Sequence, residues 1–285
     1  MQSPIRTLRF GIMSTGSVFP AWQAQCIENL IASGQAEPAL LILPDIPPRV
    51  PVPMWRRIAN LRHFEGRLWS YYNRLVDRRA AAKKPTDLSA RLASIPRMKC
   101  RVLKKGKFSE YFTETDLEAI REFQLDFLIR FAFNIIRGEI LQVATYGVWS
   151  FHHGDIMNYR GGPPCFWEIF SGEESTGVTL QRLTERLDGG VVLKIGRFRT
   201  IHSSYLRNRD SAHFLGTKWP AELCRALLEG RETHLDDPPT SSKATVYQLP
   251  TNRQMLRFFW RLIRNATFMK PRKRTAVQAN SEAAR

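Results

Sequence analysis

Acidic residues are scarce in this 285-residue chain: 26 Asp and Glu stand against 43 Lys and Arg, a formal net charge of +17. Such an excess points to an anionic partner (nucleic acid, a phosphate-bearing small molecule or an acidic membrane surface) without choosing among them. Cysteine is sparse too. Cys26, Cys100, Cys165 and Cys224 form no CxxC pair and have no histidine at metal-ligand spacing, which excludes a disulfide scaffold and predicts reduced thiols and no metal site. No run of about 18 apolar residues occurs, which argues against a spanning helix. The start MQSPIRTLRF lacks the apolar stretch of a signal peptide. A cytoplasmic protein, at most peripheral to a membrane, is therefore expected. There is no internal repeat and no GxGxxG. At 43% hydrophobic and 11% aromatic residues, the composition is globular, with one large domain or one domain with appendages.

Apolar patterning gives the organisation. LRFGIMSTG (8–16) reads as a buried strand and turn, Pro20 to Ser33 as an amphipathic helix ending near Gly34, and PALLILPD (38–45) as a second strand. This βαβ unit predicts an α/β fold with a mostly parallel sheet covered on both faces. A basic, aromatic stretch at about 46–97 reads as an inserted helical segment, after the turn Ile46-Pro47-Pro48. It is either an amphipathic helix packed on the body or a partner surface built from Arg56, Arg57, Arg62, Arg67, Arg74, Arg78 and Arg79. CRVLKKGKFSEYF reads as an edge strand with a turn at Gly106. Thr113 or Thr115 caps a helix, LDFLIRFAF (125–133) is a strand, and IRGEILQVA (136–144) a helix. Residues 175–198 alternate as a strand pair, and 206–229 are helical.

Residues 150–162 read SFHHGDIMNYRGG, following the strand YGVWSFHH. In open α/β sheets, ligands sit at the carboxyl ends of strands. After His153 come Tyr159-Arg160-Gly161, Pro164, Trp167, Thr176-Gly177-Val178-Thr179 and Asp188-Gly189-Gly190. In content and order these blocks resemble the formyltransferase family, which includes the glycinamide ribonucleotide, methionyl-tRNA and amino-sugar formyltransferases. The resemblance covers roughly residues 8–45 and 98–230. It implies a Rossmann-like sheet with helices on both faces and 10-formyltetrahydrofolate as formyl donor.

Formyl transfer to an amine passes through a tetrahedral oxyanion. The site must supply a donor to that oxyanion and a group that carries protons near neutral pH. The resemblance assigns the proton carrier to His153, paired with Asp188. Its Asn falls on Phe151, which donates no hydrogen bond, and loss of one such donor costs on the order of 10²–10³ in rate in a well-studied protease. His152 is either the replacement, forming a rearranged polar set with Asp155, or a structural bystander. For the pterin, the resemblance implies Phe131, Ala132, Phe133, Asn134, Ile135, Leu187 and Gly189, with a plain core strand as the other reading of 131–133. Gly16 and Ser17 either bind an acceptor phosphate or only turn the chain. Asp155, Tyr159 and Arg160 complete the expected acceptor site.

The expected acceptor is a small, phosphate-bearing amine; a nucleotide- or lipid-linked amino sugar would explain a basic site. A methionyl-tRNA enzyme is the alternative, although the roughly 55 residues after Gly230 fall short of that family's C-terminal barrel. A folate-binding member silenced at Phe151 is another, and a formyl-folate hydrolase a further one. The expected organisation is one α/β domain over 1–230 and an extension over 231–285. The extension carries a basic amphipathic helix at about 252–270 and a disordered tail from 275. That helix packs on the core, joins an oligomer, or rests on anionic lipid or nucleic acid. The oligomeric state is left open.

Overall fold

A computed structural model describes residues 6–45, 66–106, 108–186 and 189–268. Leu187, Asp188, the first part of the basic insertion (46–65, with Arg56, Arg57 and Arg62) and the chain after Phe268 lie outside the described residues.

In chain order the elements are β1 (Leu8–Met13), β2 (Val18–Pro20), α1 (Ala21–Ala32), β3 (Ala36–Pro44), α2 (Arg67–Arg79), β4 (Pro85–Asp87), β5 (Arg97–Cys100), β6 (Val102–Lys105) and β7 (Ser109–Phe112). Then follow α3 (Glu114–Arg121), β8 (Phe127–Arg130), β9 (Ile135–Arg137), β10 (Val148–His152), β11 (Arg160–Gly161), α4 (Phe166–Ser171) and β12 (Ser175–Arg182). The last are β13 (Val191–Arg199), α5 (Tyr205–Leu215), α6 (Trp219–Leu228), β14 (Val246–Tyr247) and α7 (Asn252–Phe268).

Seven strands form the main sheet in the order β13-β12-β10-β8-β1-β3-β5. β1 pairs in parallel with β3 and β8, β8 with β10, and β3 with β5, while β12 runs antiparallel to β10 and β13. The expected α/β class and mostly parallel sheet are therefore observed. Both faces of β8 are buried, which is why its sequence reads as a continuous apolar run. Phe127 and Ile129 join Phe10, Trp149, Leu180 and helix α1 in one core. Leu128 joins Met13, Leu40 and Val148 under α3 in the other. Thr113 caps α3, its hydroxyl accepting the Asp116 N–H at 3.3 Å.

Three expectations are corrected. Of the edge strand expected over 100–112, only Cys100 lies in the main sheet, at the end of β5. β6 and β7 form a hairpin that joins β9 in a separate three-stranded sheet, because β6 is largely exposed and does not fit a sheet covered on both faces. The edge is β5. Residues 136–144 are not an α-helix: β9 pairs with β7, Gly138 takes φ +77, and only the short 3-10 turn Glu139–Gln142 follows. The insertion is helical only through Arg79 among its described residues; beyond a short 3-10 turn, β4 pairs with β2 and β5 enters the sheet.

The C-terminal helix is laid onto the main core. Met255 and Phe258 of α7 are fully buried, Phe258 stacks on Phe166 of α4 with centroids 4.4 Å apart, and Phe259 meets Tyr72 of α2 at 5.1 Å. Its outward stripe, Leu256, Trp260 and Ile263, is exposed. Among the described residues no helix is long and apolar enough to cross a membrane.

Candidate active site

Strand alternation sorts the residues around the paired histidines. Phe151 lies opposite Leu180 and His152 opposite Thr179 on β12, so the two side chains leave opposite faces. Phe151 packs edge-on against Trp22 of α1 at 5.5 Å. His153, just past the strand, turns to the same side. Its ring stacks on His213 of α5 at 4.0 Å and 18°, and meets Trp22 edge-on at 4.9 Å. His152 is on the other side, where its Nε2–H donates to the Tyr159 carbonyl at 2.9 Å. Because a carbonyl only accepts, that bond fixes the proton on Nε2 when the ring is neutral.

The electrostatics of the aromatic cage follow from its contents. Burial holds His153 well below the ordinary 6.5, and positive charge on His213, His152, Lys83 and Arg209 adds to this. His213 is pushed down to about 3, again chiefly by burial, against the opposing hydrogen bond to the Arg209 carbonyl (2.7 Å from Nδ1). Both rings are neutral near pH 7. The buried Nε2 of His153 has no hydrogen-bond partner among the described residues.

Asp155 does not pair with His152, whose Nε2 is taken by the Tyr159 carbonyl. Its Oδ2 accepts from Arg197 Nε and Nη2 at 2.8 and 2.6 Å and from Asn158 Nδ2 at 3.0 Å, while Oδ1 accepts the Met157 N–H at 3.0 Å. Tyr159 donates from its hydroxyl to Glu173 at 2.8 Å, and Arg160 reaches the Ser242 carbonyl at 3.4 Å. The Thr-Gly-Val-Thr block has a physical reason here. A Cβ on Gly177 would lie 2.6 Å from Asp155 Cβ, so only glycine lets the 155–159 turn seat on β12. Thr179 then holds the turn by donating to the Gly154 carbonyl at 3.0 Å.

A cleft of about 250 Å³ opens at the carboxyl end of β8, lined by Arg130, Asn134, Ile135, Gln181, Leu183 and Thr184 among others. Of the five residues expected at 131–135, Asn134 and Ile135 line it. Phe131 instead lies edge-on to Trp22 at 5.5 Å, Ala132 is buried, and Phe133 packs on Phe112 at 5.1 Å. Gly189 borders the loop opposite: its N–H donates to Arg186 and its carbonyl accepts from Thr184 at 3.0 Å. Arg130 donates to Ser150 Oγ and to the carbonyls of Phe133 and Asn134, fixing the bend after β8. Buried Glu110 takes the Asn134 N–H at 2.8 Å. The Gln181 side-chain oxygen is buried without a partner among the described residues. Sequence reasoning missed Arg130, Gln181 and Glu110. The visible signal was a lone arginine within the apolar LDFLIRFAF.

The turn at Gly16 and Ser17 is held from within and from beyond β4. Ser14 Oγ donates to the Gly16 carbonyl at 2.8 Å, the Ser17 carbonyl accepts the Leu88 N–H at 2.9 Å, Ser17 Oγ is buried without a partner among the described residues, and β2 separates the turn from the start of α1. A helix N-terminus therefore does not face it directly. A larger cavity, about 760 Å³, lies between the β12–β13 hairpin and α6 and contains none of the expected site residues. Lys194 and Glu222 pair there at 2.5 Å.

No family model matches the chain. It is 31% identical over 121 residues to a methionyl-tRNA formyltransferase of Prochlorococcus marinus, a match taking in 42% of this chain and about a third (34%) of that protein's length. Its fold is similar to that of a sugar N-formyltransferase from a Shewanella species (TM-score 0.51, 13% identity, 90% of this chain and 89% of that one). It is also similar to glycinamide ribonucleotide transformylase 1 of Symbiobacterium toebii (TM-score 0.50, 13% identity, 79% and 89%). A third is an N-formyltransferase of Helicobacter canadensis, solved with folinic acid and dTDP-3-aminofucose (TM-score 0.50, 10% identity, 85% and 71%).

Proposed function

We propose that this chain, related to the formyltransferases in sequence over that stretch and in fold, moves a formyl group from 10-formyltetrahydrofolate to the primary amine of a phosphate-bearing amino sugar. The observation that carries the reading is the cleft at the end of β8. Two stretches some fifty residues apart, Asn134–Ile135 and Leu183–Thr184, face each other across it, and the motif order assigns both neighbourhoods to the donor. A pterin needs acceptors and donors at its rim, and the Gln181 oxygen, partnerless among the described residues, is an acceptor of the right kind, while Asn134 lines the rim with its Nδ2 donating to Glu110. The folate would supply an activated formyl carbonyl there.

His153 is the proton carrier. Its neutral Nε2 takes a proton from the attacking amine, and its low basicity makes it quick to pass that proton to the folate nitrogen, which would need it as its bond to the formyl carbon breaks. Asp188, outside the described residues, is the carboxylate that the motif order assigns to it. His152, tied to the Tyr159 carbonyl, holds the 153–159 turn in place and presents only Nδ1. The test is donor turnover by the purified chain offered amino sugars and nucleotide-linked amino sugars. His153→Ala should lower it by about 10² or more. Folate binding without turnover on any amine would favour a silent member of the family and overturn the reading.

The match to a methionyl-tRNA formyltransferase favours a second reading, a tRNA-borne acceptor. Steep loss of tRNA binding with salt, together with formylation of charged tRNA, would select it. For α7 the proposed partner is an anionic membrane surface. Its exposed Leu256, Trp260 and Ile263 are flanked by Arg253, Arg257 and Arg264, apolar and cationic groups suited to acidic lipid.

A further inference from the structure

A second polar pocket, of about 300 Å³, lies between the 155–159 turn, α4, β12 and β14. In a chain rich in cations, its lining contains no Lys, Arg or His, but three carboxylates: Asp155, Glu168 and Glu173. Two of these are already engaged, Asp155 by Arg197 and Glu173 by the Tyr159 hydroxyl. Glu168 is engaged only by its own backbone N–H. It is 2% exposed, and its Oε1 is buried with no hydrogen-bond partner among the described residues. An unmet buried carboxylate oxygen is costly to the fold, and a ligand that supplies the missing donor would offset that cost.

The walls narrow the chemistry of that donor. Tyr159 and Tyr247 stack at 5.3 Å and 29°, and Tyr247 continues onto Trp167 at 4.8 Å. Ring faces attract cations, and a carboxylate beside them completes a seat for an organic ammonium group. Among the described residues no group of three or more acidic, His or Cys side chains is arranged to hold a metal ion. The pocket and the cleft at the end of β8 have no lining residue in common.

We infer that this pocket binds the ammonium group of a small primary amine, with Glu168 as its charge partner and the Tyr159–Tyr247 pair as its wall. The inference stands on the cavity and its orphaned oxygen, and holds whether or not the chain transfers formyl groups.

The test uses the full chain without any formyl donor, and compares glucosamine with its neutral analogue N-acetylglucosamine by titration calorimetry or ligand-observed NMR near pH 8. The wild-type chain should prefer glucosamine by about tenfold, the worth of one charge-assisted hydrogen bond. Glu168→Gln, which keeps the shape and removes the charge, should abolish the preference while its thermal midpoint equals or exceeds that of the wild type. Equal affinity for the two sugars, or a preference that survives in a folded Glu168→Gln variant, would overturn the inference.

Discussion

The carboxyl group of Glu168 makes a pH experiment quantitative. Burial raises it from the ordinary 4.5 to about 7, with the charges of Glu173 and Asp155 adding to the rise and its own backbone N–H opposing it. The folded chain therefore keeps a proton that the unfolded chain has released. Stability from this group is complete below about 4.5, declines as pH rises towards 7, and is constant above. The total is about 3 kcal/mol, of which about 2.5 kcal/mol falls between roughly pH 5 and pH 8. Glu168→Gln carries no such titration. The variant's thermal midpoint, measured against the wild type at both pH values, should gain about 5 °C or more at the higher one. Taking the difference between the two proteins cancels every other titrating group. A gap that stays constant within about 2 °C would refute the reasoning that burial and neighbouring carboxylates hold this proton on.

Phe127 lies between Trp149 (4.0 Å, stacked) and Phe10 (5.4 Å, stacked), so Phe127→Ala should cost about 3–5 kcal/mol in urea unfolding; a loss under about 1 kcal/mol would contradict this packing. Gly177→Ala sets a methyl group against Asp155 and displaces the 155–159 turn. It should destabilise by about 1–3 kcal/mol and reduce donor turnover about tenfold or more, and unchanged turnover would separate the turn from the reaction. The double substitution Leu256→Asp, Trp260→Asp removes only exposed side chains. Co-sedimentation with phosphatidylserine vesicles should fall to background while the thermal midpoint stays put; binding that persists would assign the membrane contact elsewhere.

The strands and helices written in local periodicity were legible, and the features decided by distant residues were not. β1, α1, β3 and the β12–β13 pair announce themselves by alternation or helical spacing. IRGEILQVA has apolar residues at helical spacing too, but β9 is drawn into a sheet by Ser109 and Glu110, more than twenty residues earlier. LDFLIRFAF looks like one strand, yet Arg130 binds the carbonyls of Phe133 and Asn134 and bends it after four residues. At the candidate site, the motif order singles out His153. Its stacking partner His213 comes sixty residues later, and nothing local points to it. Asp155 read as a polar partner of His152 and a member of the acceptor site. The arginine that claims it, Arg197, arrives only when the hairpin folds back.

In mechanical terms α7 is a plate gripped on one side and free on the other. Phe258 couples its inner side to Phe166, the first residue of α4, and Arg257 and Arg261 lie over the ring of Phe170 in the same short helix. That helix also carries Glu168. A load on Leu256, Trp260 and Ile263 from outside would therefore be transmitted through two aromatic contacts to the carboxylate pocket, making the pocket's shape sensitive to whatever the outer surface touches. Glucosamine titrated with and without vesicles would register the coupling as a change in affinity, and identical affinities would show that the plate is rigidly clamped.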